Sequence, residues 1–404
     1  MFQQFFVNYF LKILVIFFYC LNLIYSQEKN IKSIELFDLK SGNKKLIYDM
    51  NDNIVLSFDH LTSTVQNFYV KIEHNDYNWN KSIIRKNEFL NGYDDVRIKN
   101  YQISYNTIQD YINYQFNLSN NEFKIKKSGN YNIVVNDNYG NLIFNEKIII
   151  TGKGSIGVIE VTRTDNLNYT DSSHQLKVTI PCNSCQINSN KYEYVMVIYK
   201  NNDLTNPLVL DKPDYALAGN FIYDNLIFDA GSEYLNFDNS KLLNSSSEIM
   251  EVKINDSYET ILYPDVLDNK YSLEDDLNGS FKTYSNTNNP RNESEYSLVH
   301  FKLSSKNLNI NPLKNDVFIV GDFNRYQISD RFKLNFEDKY LEKKILLKQG
   351  FYNYKYVIDD SKSDIKNFWQ TENIYTAILY EKDRLDGYFK IISVASVNSS
   401  KIVN

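Results

Sequence analysis

The residues of this 404-residue chain whose chemistry reaches beyond packing are few: 4 His, 3 Cys and several adjacent acidic pairs. Cys182 and Cys185 stand in Pro181-Cys-Asn-Ser-Cys. A zinc site needs two more ligands, and the nearest histidine, His174, has no second ligand beside it. A redox C-x-x-C opens a helix beside a βαβ unit, which the surrounding pattern does not offer. Two readings stay open for the pair: a local loop disulfide, or two idle thiols. His74, in Lys71-Ile-Glu-His-Asn-Asp, shares strand parity with Val70 and Ile72 and is expected to end a core strand. With Asp76 nearby it has the makings of a general base, but no nucleophile lies close in sequence. His300 alternates with Val299 and Phe301, so it is expected on an exposed face, and His60 after Asp59 suggests a turn hydrogen bond. Asp94-Asp95, Asp275-Asp276 and Asp359-Asp360 are adjacent pairs. Glycoside hydrolysis needs two carboxylates facing each other across a sugar, whereas adjacent residues point apart and read as solvated turns. No calcium loop, nucleophile elbow, phosphate loop or dinucleotide fingerprint occurs. The expectation is a non-enzymatic protein with no catalytic residue, cofactor or metal.

A binding site has one candidate segment. Asp316-Val-Phe-Ile-Val-Gly-Asp-Phe-Asn-Arg-Tyr326, with Gly350-Phe-Tyr-Asn-Tyr-Lys-Tyr-Val-Ile358, resembles the sandwich domains of glycogen- and starch-binding modules. That resemblance implies sugar stacking on aromatic faces. Tyr326 stands at the position of one platform, and Trp369 is the candidate for a second. The corresponding function is a glycan-binding protein of the periplasm or cell surface.

The elements that must position such residues are strands. Asn67 to His74 alternates Phe68, Val70 and Ile72 with Tyr69, Lys71 and Glu73, and Tyr192–Tyr199 and Asp316–Val320 are shorter apolar runs. An aromatic content of 15% favours sheet over helix. No amphipathic helix exceeds a turn or two, so the expected fold is all-β, with tandem immunoglobulin-like β-sandwich domains. Residues 1–26 read as a secretory signal peptide: Lys12 precedes the apolar run Ile13–Leu21, which is shorter than the ~20 residues that span a bilayer. The glycine cluster Thr151-Gly-Lys-Gly-Ser-Ile-Gly157 and the polar run Ser285–Glu295 divide the rest. Expected domains are 27–152, 153–284 and 296–392, with a linker at 285–295 and a flexible tail at 393–404. Lys127-Ser-Gly-Asn-Tyr131 and Lys348-Gln-Gly-Phe-Tyr352 repeat one pattern, a glycine followed by a tyrosine that anchors a sandwich corner. The net charge of −6 argues against nucleic acid as the main partner.

Several segments taken together resemble one family, the plug protein of the type IX secretion system, earlier an exported domain family of unknown function. They are Lys71–Trp79, Phe89-Leu-Asn-Gly-Tyr93, Tyr101–Thr107, Tyr111–Tyr114, Phe228–Asp238, Asp276-Leu-Asn-Gly-Ser-Phe281, Gly321-Asp-Phe-Asn324, Lys348–Tyr354, and Thr371-Glu-Asn-Ile-Tyr375 through Asp386-Gly387. Their order is kept from about residue 31 to 390. Two segments depart from the pattern: Tyr326 stands where the family has Trp, and Asn201–Asn206 is a reduced form of an aromatic-bearing segment. The resemblance implies a periplasmic protein, exported by its signal peptide, at the inner face of the outer membrane. It implies one partner, the giant β-barrel translocon that exports folded cargo, and one task, closing that barrel's periplasmic mouth. It implies no catalytic residues, and surface tyrosine and asparagine suited to a broad, wet contact.

Overall fold

The structure, a computed structural model, describes residues 30–120, 123–182, 193–244, 246–273, 276–306, 308, 311, 314–358 and 363–401. The expected signal peptide, Cys185, Asp275 and the Asp359-Asp360 pair lie outside the described residues. Almost every element is a strand, as the period-two pattern requires, and the strands form paired sheets around apolar cores.

Unit 1 begins with β1 (Ile31–Asp38), β2 (Ile47–Asp49), β3 (Ile54–His60) and β4 (Phe68–Asn75), followed by one helical turn, α1 (Lys86–Phe89). It continues with β5 (Leu90–Gly92), β6 (Val96–Arg97), β7 (Asn100–Ile103), β8 (Ile112–Asn117), β9 (Phe123–Ile125), β10 (Gly129–Asp137) and β11 (Leu142–Thr151). Two sheets, ordered β1-β3-β8-β7 and β2-β11-β10-β4-β6, face each other. Between them pack Phe58, Phe68, Val70, Ile72, Tyr114, Tyr131 and Ile133, all fully buried. Inward residues of β4 and β10 keep one parity, which is why a one-residue slip of either strand would expose the core.

The chain then starts unit 2: β12 (Ser155–Ile156), β13 (Val158–Arg163), β14 (Ser173–Pro181), β15 (Tyr194–Lys200), β16 (Leu208–Leu210), β17 (Tyr215–Leu217) and β18 (Asn220–Asp229). Before completing it, the chain builds unit 3 from β19 (Leu235–Asp238), β20 (Ile249–Ile254), β21 (Tyr258–Leu262), β22 (Phe281–Thr283) and the short helix α2 (Pro290–Glu293). Next come β23 (Tyr296–Ser304), β24 (Val317–Val320), β25 (Asn335–Glu337), β26 (Tyr340–Lys348), β27 (Gly350–Ile358) and β28 (Ser363–Asp364). Finally β29 (Ile374–Lys382) and β30 (Phe389–Asn398) return to unit 2, where β29 pairs with β15 in the sheet β12-β30-β29-β15-β16. Unit 3 is therefore inserted into unit 2.

This nesting corrects the expected divisions. Residues 235–283, assigned to a middle domain, belong to unit 3, because β19 and β22 both pair with β27. Residues 374–392, assigned to a last domain, belong to unit 2. The expected linker 285–295 is no free linker: residues 286–288 are exposed, but Ser294 and Glu295 at its end are buried and bonded to unit 1. The expected tail 393–404 is strand through Asn398, with Ser393 and Ala395 buried, and residues 402–404 lie outside the described set. Much of the tyrosine expected at the surface is core, including Tyr48, Tyr111, Tyr223, Tyr296, Tyr354 and Tyr375.

The repeated Gly-x-Tyr pattern has the same geometry twice. Tyr131 donates its hydroxyl to the Lys127 carbonyl at 2.6 Å, and Tyr352 donates to the Lys348 carbonyl at 2.6 Å. The first corner needs its glycine: at Gly129 (φ +150) a Cβ would lie 2.4 Å from Nε2 of His74.

Candidate functional site: the junctions of three units

Each expected site residue has a definite place. Cys182 is buried in the core of unit 2 and is disulfide-bonded. His74 is core: Nδ1 meets Ser82 Oγ at 2.8 Å, and the rings of Phe89, Tyr131 and Tyr388 surround it. Burial lowers its pKa to about 4, so it is neutral near pH 7. His300, expected exposed, is 8% exposed, because Glu259 of the neighbouring strand covers it at 2.9 Å. His60 packs edge-on against Phe68. Asp94 pairs with Lys86 and Asp95 with Lys71, so the adjacent carboxylates diverge as expected. Asp276 accepts the Asn278 N–H, closing a turn.

The two glycan candidates do not form a platform. Tyr326 is 5% exposed and packs with Tyr234, Phe318, Val320 and Val357, which leaves no ring face for a sugar. Its backbone explains why: Arg325 and Tyr326 both adopt left-handed φ, 56° and 52°, which turns the ring inward where an extended strand end would present it. Trp369 is half-buried in unit 2, with the Arg163 guanidinium 4.6 Å from its ring centre. Among the described residues no group of three or more His, Cys, Asp or Glu is placed to hold a metal.

Side chains do converge where the units meet. Between units 1 and 3, Asp59 at the end of β3 receives the Lys348 ammonium at 2.7 Å and the Tyr296 hydroxyl at 2.7 Å on one oxygen. Its other oxygen accepts from Asn113 at 2.7 Å. Lys348 also donates to the Arg291 carbonyl at 2.7 Å and lies 4.1 Å over the Tyr111 ring. Tyr111 in turn donates to the Ser294 carbonyl, and Glu295 accepts the backbone N–H groups of Ile108 and Gln109. Exposure of the Asp59 and Lys348 side chains is 0% and 3%. Burial pulls the lysine pKa down while Asp59 pushes it back up. A buried pair of this kind is tolerable only with every valence filled, and here the oxygens and the ammonium all have partners.

The junction of units 1 and 2 is apolar. Ile149 of β11 enters a cluster with Val195, Val197, Tyr199, Ile378, Tyr380 and Ile391, flanked by Tyr77 and Trp79. Polar links cross it too: Tyr380 donates to Asn130 Oδ1 at 2.7 Å, the Ile391 N–H donates to Ser128 Oγ at 3.1 Å, and Lys127 pairs with Asp386 at the exposed rim.

Units 2 and 3 meet where the chain crosses between them. Asn373 Nδ2 donates to the Ala230 carbonyl at 2.9 Å, and Thr371 Oγ1 to the Gly231 carbonyl at 2.8 Å, tying the outgoing strand to the returning one. Gly231 (φ +78) cannot carry a side chain there, since a Cβ would lie 2.0 Å from Asp364 Oδ2. A cavity of about 300 Å³ lies where all three units approach, walled by residues including Lys44, Glu146, Leu204, Asp322, Arg325 and Tyr326. Burial pushes the Glu146 carboxyl up to about 7, against the pull of Arg325, with which it pairs across units 1 and 3.

The segments singled out in the sequence fall on these junctions. Lys71–Trp79 supplies Tyr77 and Trp79, Phe228–Asp238 and Thr371–Tyr375 supply the crossing, and Lys348–Tyr354 supplies Lys348. Sequence reasoning missed Asp59, Tyr296, Glu295 and Lys348 as a set. The available signal was an aspartate closing Ile54-Val-Leu-Ser-Phe-Asp59, a run whose every residue is buried.

The fold and junctions define an all-β protein of three interlocked sandwich units. Residues 31–152, which make up unit 1, match the family model described as type 9 secretion system plug protein 1st domain. No curated protein matches the chain. As a fold, the chain is similar to the crystal structure of a hypothetical protein from Parabacteroides merdae ATCC 43184, with TM-score 0.85, 24% identity, and coverage of 92% of this chain and 97% of that one. No helix among the described residues is long and apolar enough to cross a membrane.

Proposed function

We propose that this protein is a periplasmic plug that closes the periplasmic mouth of the giant outer-membrane β-barrel translocon of type IX secretion. It acts by protein–protein contact without catalysis, and its signal peptide delivers it to the inner face of the outer membrane. The supporting observation is that family-like segments hold the three units to one another. A stopper for a wide pore has to present a broad, shape-stable surface, and interlocked units provide one. Tyr93, Tyr101, Ile103 and Tyr105 on unit 1 remain exposed as contact material of the kind interfaces favour. In a strain that makes the barrel, deleting this protein should leave export of folded cargo possible and make the outer membrane leaky to a large antibiotic or dye. Deleting the barrel as well should abolish the leak. Unchanged permeability in the single deletion would remove the assignment.

A further inference from the structure

The tripeptide Leu-Asn-Gly occurs twice in the chain, at 90–92 and at 277–279. An asparagine before a glycine is open to one reaction in particular, because no Cβ shields the glycine nitrogen from the asparagine side chain. That nitrogen attacks the asparagine Cγ, a C–N bond forms, ammonia leaves and a five-membered succinimide remains. Water then opens either ring carbonyl, giving aspartate or isoaspartate. The two copies stand in opposite surroundings. Leu90–Gly92 is β5, paired with β9 in a two-stranded sheet apart from the two larger sheets of unit 1. Leu90, Phe123 and Ile125 face the core, so Asn91 points to solvent, and both Asn91 and Gly92 are exposed. The register also turns the nucleophile outward. The Lys126 N–H donates to the Phe89 carbonyl at 2.8 Å, and bonded positions alternate along an antiparallel pair. Asn91 opposite Lys124 is therefore a bonded position and Gly92 opposite Phe123 is not, in keeping with the Phe123 N–H donating to the Asn120 carbonyl at 3.2 Å. The Gly92 N–H is thus directed away from β9. Ring closure then needs rotation about the Asn91 backbone, and a two-stranded ladder is the marginal kind that opens locally.

Leu277–Gly279 is a locked turn. The Ser280 N–H donates to the Leu277 carbonyl at 3.2 Å across Asn278 and Gly279, both left-handed at φ +51 and +83. The Asn278 N–H goes to Asp276 Oδ1 at 2.8 Å, and the Gly279 carbonyl accepts the Asp322 N–H at 3.0 Å. Gly279 is buried under two rings: a Cβ there would lie 2.3 Å from the Tyr326 hydroxyl and 2.6 Å from the Tyr234 ring. Rotating this peptide toward ring closure requires the turn, and the tyrosine packing around it, to come apart first.

We propose that Asn91 is a site of spontaneous modification, deamidating through a succinimide to aspartate and isoaspartate, and that the same tripeptide at Asn278 is protected by its fold. Each event at Asn91 puts a new carboxylate opposite Lys124 and, as isoaspartate, lengthens the backbone just before the exposed Tyr93. The proposal is independent of the plug reading. It is tested on the full mature chain, incubated at mildly alkaline pH either folded or in denaturant, with peptide mass spectrometry and enzymatic methylation of isoaspartate as readouts. In denaturant the two asparagines should react at similar rates. In the folded chain Asn91 should react at least tenfold faster than Asn278, with isoaspartate among its products, since only ring opening makes it. Asn91→Gln, whose cyclisation would need a slower six-membered ring, should remove the signal from this peptide and leave the others unchanged. An Asn91 that stays intact in the folded chain, aspartate without isoaspartate, or equal rates at the two sites of the folded chain overturns the proposal.

Discussion

The two junctions of unit 1 are built on opposite principles. Against unit 2 it presents Ile149, Tyr77 and Trp79 to an apolar cluster, where attraction is non-directional and tolerates small shifts. Against unit 3 it presents Asp59, which accepts from three named donors, Lys348, Tyr296 and Asn113, in fixed geometry. The first supplies adhesion. The second contributes little net energy after desolvation, but it penalises every wrong orientation heavily, because any misfit strands a buried charge. Unit 1 is thus held by one face and oriented by the other.

Breaking one partner of the polar junction should have the largest effect. Lys348→Met leaves Asp59 uncompensated, and a loss of about 3–5 kcal/mol is expected in chemical denaturation. Adding Asp59→Asn should return most of it, giving a large coupling in the double-mutant cycle. Ile149→Ala on the apolar side should cost about 2–5 kcal/mol, with no second substitution that restores it. Equal behaviour of the two junctions in this cycle would erase the distinction.

The pH dependence sharpens the same contrast. Folded Glu146 keeps its proton up to about pH 7, while the unfolded chain releases it near 4.5. Between those values the folded state binds more protons, so this group makes stability fall as pH rises. His74 has the opposite sign: folded near 4 and unfolded near 6.5, it makes stability fall as pH drops through that window. Glu146→Gln should therefore gain on the wild type by on the order of 3 kcal/mol between pH 4.5 and pH 8. The groups facing Glu146 are Arg325, Asp322 and Lys44. A pH-independent gap between variant and wild type would show that the carboxyl titrates normally.

The smallest effect concerns the two corners. Tyr131→Phe and Tyr352→Phe each remove one buried hydroxyl donation, at an expected cost of about 0.5–1.5 kcal/mol with the fold intact. Tyr352 lies four residues from Lys348, so its substitution should couple to Lys348→Met, whereas Tyr131→Phe should add independently.

Strands and corner tyrosines were legible because their signals are local. Alternation in β4 and the glycine before Tyr131 need only a few neighbouring residues to be read. The insertion of unit 3 was not legible, since β29 has the pattern of any buried strand and nothing within it names β15 as its partner. Ser285–Glu295 misled for a related reason. Polar composition signals solvent only when the opposing surface is not equally polar, and here Ser294 and Glu295 meet the Tyr111 hydroxyl and unpaired N–H groups of unit 1. Tyr326 reads the same whether its ring faces out or in, and the left-handed turn that decides between them carries no glycine to betray it.

The insertion also fixes an order of events as the chain emerges from its N-terminus. The strands of unit 1 are all available once Thr151 is made and those of unit 3 once Asp364 is, while Tyr388 joins the unit 1 core later. Unit 2 waits for the whole: Tyr194 and Glu381, bonded in the finished sheet, are 187 residues apart. Until β29 arrives, β15 is an apolar strand with an open edge, the kind of edge that captures other chains. The strands β29 and β30, made after those of units 1 and 3, thus close the open edge of β15, and a chain cut short before residue 374 would carry the strands of units 1 and 3 joined by a unit 2 that cannot form.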